Sequence, residues 1–374
     1  MTKQERKTFL FLGVLLALLL VIVGQFWSSY RSRSEVPEEG YLFCFWNVEN
    51  LFDDRADGRN FPADQQYDEW FSGQPTDLRQ KLDNLSHAIV NMNARRGPDI
   101  LALAEVENIR AAQLLQDTLN RRLPPELAYK NLLMKEQTSG RHIAPAILTR
   151  LPVRGNKTQL LGSRMRTLEG HLVVNGYDLV VVVSHWTSRV TDKDGSRRCR
   201  YGEQIYGQYK AMSISNPDVA FLVCGDFNDP PSARSVTTCL RAVGDQEAVL
   251  HAPHTEPLLY NLFAPLEAKG QGTLYYRGKW DLFDQIAVSP ALLRNQVGWV
   301  CLPRTAQVFN TLYQPGDPTR QPWRFGDPKD SGPRGYSDHF PVTVRLNVLA
   351  KKPVVPTFAP ATKRHATTLS PVGE

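Results

Sequence analysis

Residues 223–231 read VCGDFNDPP. The apolar run 219–224 stops at Gly225, and Asp226 and Asn228 follow two residues apart, ahead of Pro230 and Pro231. An apolar run of this length, bounded by turn residues, reads as a buried strand. Gly and Pro then force the backbone to turn at the strand end, where α/β sheets place ligands. Asp226 carries two charged oxygens. Asn228 offers an oxygen and an NH2 without charge, suited to holding a water or a phosphate oxygen. An Asp/Asn turn that bonds its own backbone uses the same residues. This stretch alone does not choose between the two.

Four other stretches share its design. Residues 43–53 (FCFWNVENLFD), 99–108 (DILALAEVEN) and 178–186 (DLVVVVSHW) each run from an apolar strand into a polar cluster; in 336–344 (YSDHFPVTV) the cluster precedes the strand. Helical stripes lie between them. Leu78, Leu82, Leu85, Ile89 and Met92 recur at helical spacing, with Thr76 as the expected cap and His87 on the outer face. Asn108 is placed to cap the helix carrying Leu114, Leu115 and Leu119. Residues 171–174 and 178–184 read as a hairpin around Asn175 and Gly176. Residues 53–75, 191–200 and 302–335, rich in charge, Gly and Pro, read as loops. Strands alternating with helices indicate α/β.

The chain has 374 residues and a net charge of +6. Residues 1–40 contribute +1 and 350–374 contribute +3, which leaves +2 for everything between, too little to argue for nucleic acid from net charge. Lys3, Arg6 and Lys7 form a basic segment at 1–8, ahead of an apolar stretch at 9–27. Nineteen residues make about 28 Å of helix, near the ~30 Å hydrocarbon core of a bilayer. No small-x-small cleavage site follows, so the stretch is expected to be an uncleaved transmembrane anchor, with a cleaved signal and secretion as the alternative. Residues 28–40 read as a linker, 41–349 as one catalytic domain, and 350–374 as a Pro- and Thr-rich disordered tail. Five cysteines have no metal-type spacing; Cys44 and Cys224 sit in apolar strands, and any pairing among Cys199, Cys239 and Cys301 is open.

Together with 280–289 (WDLFDQIAVS), the five stretches resemble the endonuclease/exonuclease/phosphatase superfamily with its deoxyribonuclease-I-like fold. The motifs come in the family's order from about residue 41 to 346, and NVENLFD and SHW-x-SR are closest to its bacterial members. The resemblance implies two packed β-sheets flanked by helices, a four-layer α/β sandwich with the site at one edge. It implies Glu105 as a metal ligand, with Asn47 and Asp338 on the metal side and Glu49, where members often carry an acid, in contact with phosphate or substrate. Hard oxygen donors without a Cys/His cluster point to Mg2+ or Mn2+. His339 is the candidate base, since its imidazole accepts a proton near neutral pH. By resemblance Asp284, rather than nearby Asp281, would fix its tautomer. His185 would serve the phosphate or leaving group, and Asp226 and Asn228 the attacking water. Each has a plainer reading: Glu105 as a surface residue in a polar turn, His185 as a hydrogen-bonded core histidine, Asp338 and His339 as a turn.

Metal-dependent cleavage of nucleic acid, DNA or RNA, outside the cytoplasm is the first reading. A phosphodiesterase or phosphatase acting on lipid or inositol head groups is the second, and a non-catalytic binding module the third; the complete residue set argues against the last. Arg189, Lys193, Arg197, Arg198 and Arg200, and Arg320, Arg324 and Arg334, lie in loops expected to rim the site. Arg141 and His142 precede another strand and would face phosphate or solvent. Trp186, Tyr201 and Trp323 would stack on bases or pack the loops. The anchor would hold the chain in a bacterial inner membrane. No protein partner is legible, and a monomer is expected.

Overall fold

Alternating apolar residues along a strand send side chains to opposite faces, and the central strands here are apolar on both. In β7 (Tyr177–His185), Leu179, Val181 and Val183 join one buried cluster while Val180 and Val182 join another. In β8 (Phe221–Asp226), Leu222 and Cys224 belong to the first cluster, and Phe221 and Val223 to the second. Such a sheet must be covered on both sides. The computed structural model, which describes residues 40–349 apart from 138, 163 and 297, shows how.

Six strands form the first sheet: β1 (Tyr41–Leu51), β2 (Ile100–Val106), β3 (Asn131–Met134), β4 (Ala144–Thr149), β14 (Gly298–Val308) and β15 (Val342–Leu349). Their order is β14-β15-β1-β2-β4-β3. The second sheet holds β5 (Gln159–Leu160), β6 (Thr167–Val174), β7, β8, β9 (Ala242–Val243), β10 (Leu259–Asn261) and β13 (Asp284–Val288), in the order β5-β6-β7-β8-β13-β10-β9. β11 (Leu274–Tyr276) and β12 (Lys279–Asp281) form a separate two-stranded sheet. The two mixed sheets share one core. Helices α1 (Pro62–Gly73), α2 (Pro75–Val90) and α3 (Ile109–Arg122) bury residues against the first sheet's side, and α4 (Ser196–Ser215) covers the second with Tyr201, Ile205 and Tyr209.

The hairpin turn is as expected, with Asn175 and Gly176 both at positive φ, 51° and 85°. Asn108 caps α3 by accepting from the Ala111 N–H at 2.8 Å. Thr76 does not cap α2: Pro75 takes the first helical position, and no side chain caps the helix. The expected loop at 53–75 contains α1, because Tyr67, Trp70 and Phe71 form a buried helical stripe within its polar composition. Residues 191–200 are loop only as far as Gly195, where α4 begins. The loop expected from 302 begins after Val308, because β14 continues to there against β15. Cys199, in the first turn of α4, is bonded to Cys239, while Cys44, Cys224 and Cys301 are free and buried. The stretch 9–27 and the tail 350–374 lie outside the described residues. Among the described residues no helix is long and apolar enough to cross a membrane.

Candidate active site

Strand register assembles half of the site. Parallel pairing sets His185 of β7 beside Asp226 of β8, and antiparallel pairing sets Asp226 beside Asp284 of β13. The strands approach closely at Gly225, where a Cβ would collide with the Ser184 carbonyl oxygen. Just past β8 the chain turns at Asn228, with φ of 50°. The Asn228 N–H donates to Asp226 Oδ1 at 2.9 Å and its Nδ2 donates to the Trp186 carbonyl at 3.2 Å. The Asp/Asn turn therefore exists, and it fixes the carboxylate rather than competing with a site.

The other half comes from the first sheet. Asn47 of β1 pairs with Ala104 of β2, and the register then shifts before Leu51 meets Val106. Glu49, Asn50 and Glu105 sit at this irregularity with φ of 53°, 55° and 63°. Left-handed backbone is costly for such residues and clusters at functional sites. Here it turns the side chains out of strand alternation. Asn47 Nδ2 reaches across to the other sheet, 3.2 Å from Glu105 Oε1 and 3.1 Å from Asp226 Oδ2. The Asn50 N–H donates to Glu105 Oε2 at 3.0 Å.

Residues 337–339 close the ring. Ser337 Oγ donates to the Asn47 carbonyl at 2.6 Å and accepts from the His339 N–H at 3.1 Å. Trp46 Nε1 donates to the His339 carbonyl at 2.8 Å. His339 Nδ1 lies 2.7 Å from Asp284 Oδ2, and its Nε2 lies 3.8 Å from Asp226 Oδ2. His185 Nε2 is 3.7 Å from both Glu105 Oε1 and Asp226 Oδ2.

The electrostatics separate the two histidines. Burial holds His185 well below the usual histidine range, helped by the Arg166 and Arg141 charges, so it is neutral. Its carboxylate neighbours favour the proton on Nε2. Burial also disfavours a charged His339, but Asp284 and Asp226 outweigh it and hold that ring well above the usual range. Asp226 is pushed up to about 6 by burial, with Asp284 and Glu105 adding to the rise. Asp338 is raised by burial and by Glu105. The His339 charge opposes both rises, and Arg324 and Lys81 oppose that of Asp338. Asp226, Asp284 and His339 also bring ligand atoms within 4.8 Å of one another, although the 2.7 Å bond already pairs the facing atoms of the last two.

Several rim residues have other work. Glu49 does not face a substrate: it is 3% exposed and accepts from Arg324 Nε at 3.0 Å, the Phe325 N–H at 2.7 Å and the Gly326 N–H at 3.3 Å. It anchors the long loop that delivers Asp338. Arg141 is tied to Asp64 Oδ1 at 2.7 Å and Asn50 Oδ1 at 2.6 Å, bracing the bulge. Arg189 pairs with Asp229 Oδ1 at 3.1 Å but stays exposed. Arg198 is buried between Asp192 and Asp229 and cannot meet a phosphate. Arg334 donates to the carbonyls of Phe325 and Asp327. Trp186 and Tyr201 are buried against each other and Phe227, so they stack on no base. Trp323 packs edge-on against Tyr336.

The sequence reading missed Lys81 and Arg166. Lys81 is fully buried in α2, donates to the Tyr336 carbonyl at 2.8 Å and lies over the Phe325 ring. Its signal was available: a Lys on the apolar stripe beside Leu78, Leu82 and Leu85. Arg166 donates to the carbonyls of His185 and Trp186, both at 3.1 Å, and nothing in its flanking residues marked it.

A family model described as the endonuclease/exonuclease/phosphatase family matches residues 42–348. No curated protein matches the sequence. Among solved structures, an endonuclease/exonuclease/phosphatase family protein of Bacteroides thetaiotaomicron is 14% identical with a TM-score of 0.50, covering 82% of this chain and 97% of that one. A mannosyl-6-phosphatase of the same organism is 14% identical with a TM-score of 0.49, covering 82% and 99%. Truncated TDP2 of Caenorhabditis elegans is 16% identical with a TM-score of 0.47, covering 83% and 97%. At such identities the likeness is one of fold, whereas the family match spans most of the chain: the protein belongs to the endonuclease/exonuclease/phosphatase family.

Proposed function

We propose that the protein is a divalent-metal-dependent phosphodiester hydrolase that cleaves nucleic acid. The observation that carries the hydrolase reading is the 2.7 Å bond between His339 Nδ1 and Asp284 Oδ2, with Asp226 3.8 Å from the ring's other nitrogen. Glu105 and Asp338 would hold the ion, joined by Asn47 once its amide turns Oδ1, now accepting from the Glu49 N–H, toward Glu105; such oxygen donors fit Mg2+ or Mn2+. When bound, the cation supplies positive charge that offsets the phosphate oxygens and the carboxylates now holding the His339 proton. His339 Nε2 takes the proton of the attacking water while Asp284 keeps Nδ1 protonated and steadies the imidazolium. Asp226, fixed by the Asn228 turn, orients that water. Neutral His185 donates through Nε2 to a phosphate oxygen.

Nucleic acid is favoured over lipid or inositol head groups by the NVENLFD and SHW-x-SR motifs and by Arg189, exposed over the Phe283 ring next to Asp284, with Lys193, Arg197 and Arg200 exposed in the segment that follows it. The purified protein, supplied with Mg2+ or Mn2+, is expected to cleave plasmid DNA or RNA in a reaction that weakens steeply with salt. Turnover of sphingomyelin or inositol phosphates alone would overturn the substrate.

The N-terminal stretch is proposed as an anchor holding the domain outside the cytoplasm. The Cys199–Cys239 disulfide supports an oxidising compartment. A reporter fused after Glu374 should be active only on the outer side, and cytoplasmic activity would reverse the orientation.

A further inference from the structure

Two exposed aromatic residues, Tyr276 and Trp280, lie on a hairpin that belongs to neither sheet. β11 and β12 pair with each other as Leu274 with Asp281, Tyr275 with Trp280 and Tyr276 with Lys279. An isolated two-stranded hairpin is marginal in water, and this one is held by the catalytic backbone. Leu274 bridges to His339, and the Phe340 N–H donates to the Thr273 carbonyl at 2.8 Å. Thr273 Oγ1 accepts from the Phe283 and Asp284 N–H groups, both at 3.3 Å. Trp280 stacks on buried Phe340 at 6.0 Å and meets Tyr275 at 5.2 Å. The base of the hairpin is therefore fixed to the segments carrying both members of the His339–Asp284 pair.

Its tip is open. Tyr276 is 49% exposed and Trp280 37%. Arg277 and Lys279 are exposed beside them, with the Arg277 guanidinium 5.1 Å from the Tyr276 ring centre. Aromatic faces alternating with cations, beside a phosphodiester site, match how single strands are held: bases stack on rings while cations track the backbone. Three residues of strand reach about 10 Å, so the tip lies within a few nucleotides of the cut. A base in a duplex is already stacked on both faces and has none to offer.

Building on the nucleic-acid reading above, we infer that residues 274–281 are a docking arm for an unpaired stretch of the substrate strand. Tyr276 stacks on a base near the scissile phosphate, and Arg277 and Lys279 meet the adjacent phosphates. The arm makes the enzyme prefer single-stranded or frayed nucleic acid to duplex.

The test compares the full-length wild type with the double variant Tyr276→Ala, Arg277→Ala, whose sites lie outside the core. Three substrates are used: a single-stranded oligonucleotide, the same sequence as a duplex, and bis(4-nitrophenyl) phosphate, which has no base to stack. The expected result is about a tenfold loss of kcat/KM on the single strand relative to bis(4-nitrophenyl) phosphate, carried by KM, the size of one lost base stack. Tyr276→Trp should retain wild-type KM. An unchanged ratio overturns the arm and leaves the nucleic-acid reading standing. An equal loss on duplex also overturns it, since charge alone would then explain the contact. A wild type that hydrolyses bis(4-nitrophenyl) phosphate but neither oligonucleotide form removes the nucleic-acid reading and the arm together.

Discussion

Replacing His339 with Ala, or Asp284 with Asn, is expected to lower kcat by about three orders of magnitude, and combining the two should cost little more. The two groups act through one bond, His339 Nδ1 to Asp284 Oδ2 at 2.7 Å. An amide at 284 would present either an N–H or a weaker acceptor to Nδ1. The first outcome drives the proton onto Nε2, where the ring can no longer accept one from water. Additive losses, about six orders in the double variant, would show that the residues work independently. Stability gives a second readout. Asp284 is fully buried and its Oδ1 has no hydrogen-bond partner among the described residues. His339→Ala therefore leaves a buried carboxylate without its partner, which costs about 3–5 kcal/mol. Removing that charge as well should relieve the cost, so the double variant should melt above His339→Ala alone. A double variant that melts lower would mean that Asp284 stabilises the fold by contacts other than His339.

Much of this site was legible because strand periodicity carries information past the strand. Along β7, Leu179, Val181 and Val183 face the shared core, so His185 continues that face toward the site. The same parity places Asp226 after Leu222 and Cys224. Parity also argues against Trp186 as a base-stacking residue, since it follows Val180 and Val182 into the cluster under α4. Glu49 was named, but its anchoring role escaped the reading for a different reason. Its partners Arg324, Phe325 and Gly326 lie some 275 residues away, and the bulge that turns it inward leaves no local mark. The basic cluster after His185 misled because composition carries no direction: Arg198 turns into the protein while Arg197 and Arg200 face solvent. α1 was hidden by its Asp, Gly and Pro content, which outweighed the short stripe of Tyr67, Trp70 and Phe71. The hairpin at 274–281 was not read from the sequence, because nothing in LYYRGKWD marks the bridge between Leu274 and His339.

Chelation should abolish activity, and Mg2+ or Mn2+ should restore it. Glu105, Asp226, Asp284 and Asp338 gather at one edge of the two sheets, and burial, then repulsion by neighbouring carboxylates, raises the proton affinities of Asp226 and Asp338. A cation removes that repulsion, and the oxygen donors select a hard one. Glu105→Gln keeps the size of the side chain and an acceptor for the Asn50 N–H, but removes the charge. It should retain less than about a thousandth of wild-type activity, several kcal/mol of lost transition-state stabilisation. Melting separates the ion from the chemistry. A ligand that binds only the folded state stabilises it by about 2.7 kcal/mol at a hundred times its dissociation constant. Wild-type protein should therefore melt higher as Mg2+ is added, and Glu105→Gln should respond far less. In chelator the order should reverse or vanish, because the variant has one fewer repelling carboxylate beside Asp226 and Asp338. Full activity in chelator would end the metal assignment. An equal Mg2+-induced rise in both proteins would move the ion away from Glu105, toward Asp226 and its neighbours.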